Sequence, residues 1–204
     1  MDIDAVKLSA AHFHQSIEAL QLTASDSAFQ AALQEAARDM IAALKDGRKI
    51  MFAGNGGSAG DAQHIAGEFV SRLNFDRSPL AGLALTTDTS ILTAVGNDYG
   101  YEDVFSRQVA GLGLAGDIFV AITTSGNSPN ILKAIKVARE LGIRVVGMTG
   151  RTGGKMAPQC DVCLKVQSDS TPLIQQVYMV AAHAICEIVE ETLFGHMKRK
   201  AGPT

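Results

Sequence analysis

Five short apolar runs recur along this chain, and segments with helical spacing lie between them. The runs are 49–53, 83–85, 117–122, 144–148 and 161–166. Continuous apolar runs of this length, bounded by turn residues, read as strands buried on both faces. Strands that alternate with helices imply a parallel sheet covered on each side. In such sheets ligands bind beyond the carboxyl ends of the strands, which directs attention to the loops after residues 53, 85 and 122. Two amphipathic helices precede the first strand. One carries Phe13, Ile17 and Leu20; the other, capped by Ser25 or Asp26, carries Phe29, Leu33, Ala37, Ile41 and Leu44. They read as a packing arm or an oligomer contact. Further helices are expected over 58–73, over 89–95, over 130–141 with Gly142 as its stop, and from Pro172 to about Phe194.

A chain of 204 residues fits one domain, taken here as 1–204 with 1–46 as the helical arm. Its 47% hydrophobic content supports a large core, and 19% charged residues argue against disorder. A net charge of −3 excludes a bulk nucleic-acid footprint, and the short basic run Lys198-Arg199-Lys200 reads as a solvated end. Cys160 and Cys163 have CxxC spacing, but no second pair completes a structural zinc site. They and Cys186 read as reduced structural thiols, as expected in a reducing compartment. Residues 1–4 lack a basic start and an apolar run, and no apolar stretch reaches membrane-spanning length free of charge. A cytoplasmic protein without membrane contact is therefore expected.

The loop Gly54-Asn55-Gly56-Gly57-Ser58 joins a strand to a helix. Its glycines let N–H groups crowd around an anion or a sugar oxygen, and the helix N-terminus adds partial positive charge. A tight turn explains the same residues, and neither GxGxxG nor a P-loop lysine is present. The loop Thr123-Thr124-Ser125-Gly126-Asn127-Ser128-Pro129 crowds four hydroxyls before a helix, which reads as a phosphate cradle that needs no cation or as a helix N-cap with spare Ser and Thr. His64 and Glu68, four residues apart, share one helical face and can bind a divalent metal or share a proton. Gln175 and His183 are polar groups in an apolar final helix and must find partners. Arg72, one turn beyond Glu68, can meet an anion, and Asn97 and Asp98 can bind sugar hydroxyls.

Together with His64-Ile65-Ala66-Gly67-Glu68-Phe69, Leu85-Thr86-Thr87-Asp88-Thr89-Ser90 and Gly96-Asn97-Asp98-Tyr99-Gly100, these loops resemble the phosphoheptose isomerases of the sugar-isomerase (SIS) superfamily. The resemblance spans nearly the whole chain. It implies a flavodoxin-like three-layer sandwich with a five-stranded parallel sheet, and a homotetramer with sites at subunit interfaces. It implies interconversion of D-sedoheptulose 7-phosphate and D-glycero-D-manno-heptose 7-phosphate, the first step toward heptoses of lipopolysaccharide core or related surface glycans. It further implies one zinc per subunit on His64, Glu68, Gln175 and His183, with Glu68 and His183 as the catalytic pair. Phosphate would lie on Thr123, Thr124, Ser125 and Ser128; Asn55, Gly56, Gly57, Asn97 and Asp98 would hold the sugar, with Ser58, Arg72 and Gln175 also at the substrate. Many members carry an acid after the Gln and then a His; here the run is Gln175-Gln176-Val177-Tyr178. The competing expectation is a non-catalytic SIS protein that binds the replication initiator. Such proteins lack the His-and-Glu helix signature that this chain has.

Overall fold

The computed structural model describes residues 4–198; the reading of the first three residues, and of Arg199 and Lys200, lies outside them. Helices α1 (Ala5–Ala24) and α2 (Ser27–Lys45) come first, and Asp26 caps the second by accepting from the N–H groups of Ala28 and Phe29. Then follow β1 (Ile50–Gly54), α3 (Gly57–Val70), β2 (Gly82–Ala84), α4 (Thr89–Asp98), α5 (Ser106–Leu112), β3 (Ile118–Ile122), α6 (Pro129–Glu140), β4 (Arg144–Thr149), β5 (Val162–Lys165) and α7 (Thr171–Lys198). All five strands pair in parallel in the order β2-β1-β3-β4-β5. This is the flavodoxin-like order, whose switch point lies between β1 and β3.

Side chains on adjacent strand positions point to opposite faces, and the core divides accordingly. Ile50, Phe52, Val120 and Met148 join Phe69, Tyr178 and Ile185 beneath α2, α3 and α7. Met51, Phe119, Ala121 and Val145 join Phe105, Ile131 and Ile135 beneath α4, α5 and α6. The result is the three-layer sandwich that the strand runs imply.

Three boundaries differ from the sequence reading in ways that matter. Helix α3 ends at Val70 rather than at residue 73, because the next segment is pulled back onto the core. There the Glu190 carboxylate accepts from Leu73 N at 2.9 Å, Asn74 N at 2.8 Å and Arg77 Nε at 3.0 Å. Helix α4 runs on to Asp98, so Asn97 and Asp98 occupy its last turn instead of a following turn. Residues 101–116, left unassigned from sequence, contain a 3-10 turn and α5. Helix α7 meets the length and composition of a membrane span, although Glu187 interrupts its apolar run. Half of its most apolar stretch is buried within the fold, which places it as a core helix packed on α1, α2 and α3.

Candidate active site

The site is built where α3 and α7 face each other. Residues 61, 64 and 68 fall on one side of α3, since positions three and four apart stack on a helix. Gln175, Tyr178 and His183 meet them from α7. His64 Nε2 lies 3.0 Å from His183 Nε2 and 3.4 Å from Glu68 Oε1. The donor atoms of all three residues fall within 4.8 Å of one another. Ligand bonds of about 2.0–2.2 Å put the donors around a zinc ion about 3–4 Å apart, so two imidazoles and a carboxylate at these separations fit a divalent metal. The His64 side chain is 52% exposed and that of Glu68 19%, which leaves the cluster open on one side.

Gln175 reaches the same region through a contact that sequence reasoning missed. Its Nε2 donates to Asp61 Oδ2 at 3.2 Å, and Tyr178 OH donates to the same oxygen at 2.7 Å. The Tyr178 proton is thereby committed, so the Ser58 hydroxyl donates to Tyr178 at 2.9 Å. Burial and then the Asp61 carboxylate raise the Tyr178 pKa, against the opposing Ser58 bond, and keep the phenol protonated. Ser58 is buried in this chain of bonds, which makes it a support for the site. With its amide nitrogen held by Asp61, Gln175 keeps its amide oxygen free to act as a ligand. Gly57 lies directly under that amide, and a methyl group there would overlap it. The signals for Asp61 and Tyr178 were present in the sequence: each lies three residues from a residue already singled out, on the same helical face.

The hydroxyl loop closes into a compact group. Thr123 Oγ1 lies 2.9 Å from Ser128 Oγ and 3.4 Å from Ser125 Oγ, and Thr124 Oγ1 lies 3.4 Å from Thr171 Oγ1. Ser128 is the N-cap of α6 and makes no side-chain cap bond; Pro129 has no N–H and Ile131 N donates to Asn130 Oδ1, so the Asn130 N–H is the first-turn backbone donor left for an anion. The loop's outward groups are fixed from behind by the β4–β5 connection. Gly150 N donates to Thr124 O, Met156 N to Gly126 O, and Lys155 N to Asn127 Oδ1, each at 3.0–3.1 Å. Gly126 has φ +66° and packs on the Gly153 carbonyl, a position that only glycine fits.

In the glycine loop Gly56 takes φ +57° and opens α3. The Asn55 amide pairs with Asn130 and receives a hydrogen bond from Tyr101. Asn97 donates to Asp98 at 2.8 Å on the exposed end of α4. Arg72 is exposed just past the end of α3, so it is not carried on that helix as the longer expected helix implied. Gln176, which stands where an acid is common, accepts from Ser16 at 2.7 Å and contacts His12 at 3.1 Å, tying α7 to α1. Cys160 and Cys163 both pack against Gly147, and the facing Cys163 thiol, followed by burial, raises the Cys160 pKa. Burial pushes the Cys186 thiol up to about 12. All three cysteines are free.

This parallel fold, with a hydroxyl-rich loop after β3 and a His–Glu–His cluster between α3 and α7, is that of a SIS-domain protein, and residues 12–150 match the SIS domain family. A phosphoheptose isomerase of Aneurinibacillus thermoaerophilus is 55% identical over 183 residues, covering 90% of this chain and 92% of that protein. The phosphoheptose isomerase of Neisseria gonorrhoeae superposes with a TM-score of 0.85 at 44% identity, over 91% of this chain and 98% of that one. That of Francisella tularensis gives 0.89 at 36% identity, over 93% and 100%. The chain belongs to the phosphoheptose isomerase family.

Proposed function

We propose that the protein interconverts D-sedoheptulose 7-phosphate and D-glycero-D-manno-heptose 7-phosphate in the cytoplasm, as the first step toward heptose-containing surface glycans. The observation that carries this reading is the meeting of His183 from α7 with His64 and Glu68 from α3. The reaction moves hydrogens without changing composition. One proton leaves C1 of the ketose and one arrives at the C2 oxygen, giving an enediol. The C1 hydroxyl then loses its proton, and C2 gains one. Glu68 and His183 divide these transfers as general acid and base. Thr123, Thr124, Ser125 and Ser128 hold the phosphate with the N-terminus of α6. Asn55, Gly56, Gly57, Asn97 and Asp98 bind the sugar, and Ser58 supports them through Tyr178. His64, Glu68, Gln175 and His183 would hold one zinc ion per subunit. Bound there, a zinc ion would supply Lewis-acid stabilisation of developing negative charge.

A homotetramer completes the reading. Helix α1 turns Val6, Leu8, Phe13 and Ile17 outward, with Phe13 68% exposed, and an apolar groove of about 310 Å³ lies between α1, α2 and α7. Exposed apolar side chains beside an apolar groove support association between subunits. Any part that exposed Arg72 plays in substrate binding belongs to that assembly. The whole chain is proposed to act as one domain, with a phosphorylated sugar rather than nucleic acid or membrane as its partner. The initiator-binding alternative has no support among the high-identity relatives, which are isomerases.

The test is incubation of purified protein with sedoheptulose 7-phosphate, before and after chelation and with zinc restored. Aldose formation that is lost on chelation and regained with zinc is expected. No aldose from zinc-loaded protein would overturn the proposal.

A further inference from the structure

The glycine loop and the hydroxyl loop leave neighbouring strands at the switch point, and one buried amide joins them. Asn130, on the first turn of α6, is 3% exposed. Its Nδ2 donates to Asn55 Oδ1 at 2.8 Å, while Asn55 Nδ2 donates to Asn130 Oδ1 at 2.9 Å. Ile131 N donates to the same Asn130 oxygen at 3.0 Å, and Tyr101 OH donates to Asn55 Oδ1 at 3.2 Å. These two further donors settle which end of each amide is oxygen. Turning either amide over would set donor against donor and acceptor against acceptor. The orientation of Asn55 is therefore dictated from α6. Asn130 also lies two residues beyond Ser128, whose hydroxyl belongs to the cradle. A bond that served packing alone could join any two elements, whereas this one joins the two loops assigned to opposite ends of the substrate.

We infer that Asn130 is a positioning residue: it couples the sugar-binding loop to the phosphate-binding loop and sets the span between them. It acts through Asn55 and contacts neither reacting carbon. The inference rests on the proposed assignment of phosphate to the hydroxyl loop and sugar to the glycine loop. Its physical basis is that a polar contact misplaced by about 1 Å forfeits much of the benefit of holding a bound molecule in the reactive pose.

The test uses Asn130→Ser and Asn130→Leu, both uncharged so that phosphate binding is not altered through charge. Steady-state kcat and KM for sedoheptulose 7-phosphate are measured beside the competitive inhibition constant of inorganic phosphate, with thermal melting as the control for folding. KM is expected to rise about 10-fold or more while the inhibition constant stays within about 2-fold of the wild type, because the cradle is intact but no longer in register with Asn55. Leucine nearly matches asparagine in shape, so it decides the matter if the serine variant melts below the assay temperature. A KM within about 2-fold of the wild type in a folded variant overturns the coupling. Parallel rises in KM and the phosphate constant overturn it too, since they signal a generally loosened cradle. Failure of the underlying assignment looks different: phosphate does not compete in the wild-type enzyme, and the inference falls with that assignment.

Discussion

Gly57→Ala separates what the fold needs from what the site needs. The new methyl group would overlap the Gln175 amide nitrogen and sit 3.2 Å from its Cδ. The amide must retreat by about 1 Å to regain a van der Waals separation of about 3.5 Å. That movement loosens the 3.2 Å bond to Asp61, which orients the amide. Stability changes little. Alanine gains about 1 kcal/mol over glycine in a helix, and local overpacking costs about 1–3 kcal/mol. The net loss of about 0–2 kcal/mol lowers the melting temperature by no more than about 8 °C for a chain of this size. Activity responds far more, because a misplacement of about 1 Å at a reacting centre costs about 100-fold, or about 2.7 kcal/mol of barrier. The checks are kcat/KM in a coupled isomerase assay and zinc content by atomic absorption, beside a melting curve. A kcat/KM within about 3-fold of the wild type would refute the reasoning. So would a loss of activity explained by melting more than about 15 °C lower.

Other consequences follow from the same geometry. Glu68→Gln is expected to lower kcat by at least about 100-fold with an unchanged melting curve; substantial residual turnover would reject its acid–base role. Replacing Ser125 and Ser128 together by alanine should raise KM for the phosphorylated sugar several-fold, and an unchanged KM would dismiss the cradle. Glu190→Ala strands Arg77, which donates to Glu190 with both side chains almost wholly buried, and should cost about 3–5 kcal/mol in denaturant unfolding. Burial raises the Glu190 pKa, but the bonds from Leu73, Asn74 and Arg77 outweigh it and leave the net value below that of an ordinary glutamate. Its contribution is therefore present above the unfolded-state value of about 4.3 and lost as pH falls through the lower folded value. Wild-type stability should decline with acid in that window, and Glu190→Gln should show a shallower decline. Phe13→Asp on the outer face of α1 should reduce the sedimenting mass; an unchanged assembly would remove α1 from the interface.

The sequence by itself determined the layered fold and half of the site. Short strands buried on both faces carry near-continuous apolar runs, so all five could be located, and the loops at their carboxyl ends followed. Residues that lie close along one helix, such as His64 and Glu68, could be paired because a turn of helix fixes their separation. The boundaries depended on contacts from afar. Nothing local stops α3 at Val70; Glu190, more than a hundred residues later, draws the chain inward there. Only the tertiary structure decided that His183 meets His64, that Asp61 orients Gln175, and that Asn130 locks Asn55. It also decided that Arg72 falls beyond the end of α3 and that apolar α7 packs within the fold. The physical reason is common to these cases. Periodicity records which face of an element is buried, whereas a hydrogen bond between distant side chains depends on how two elements are rotated against each other, and that rotation is set by the packing of the whole core.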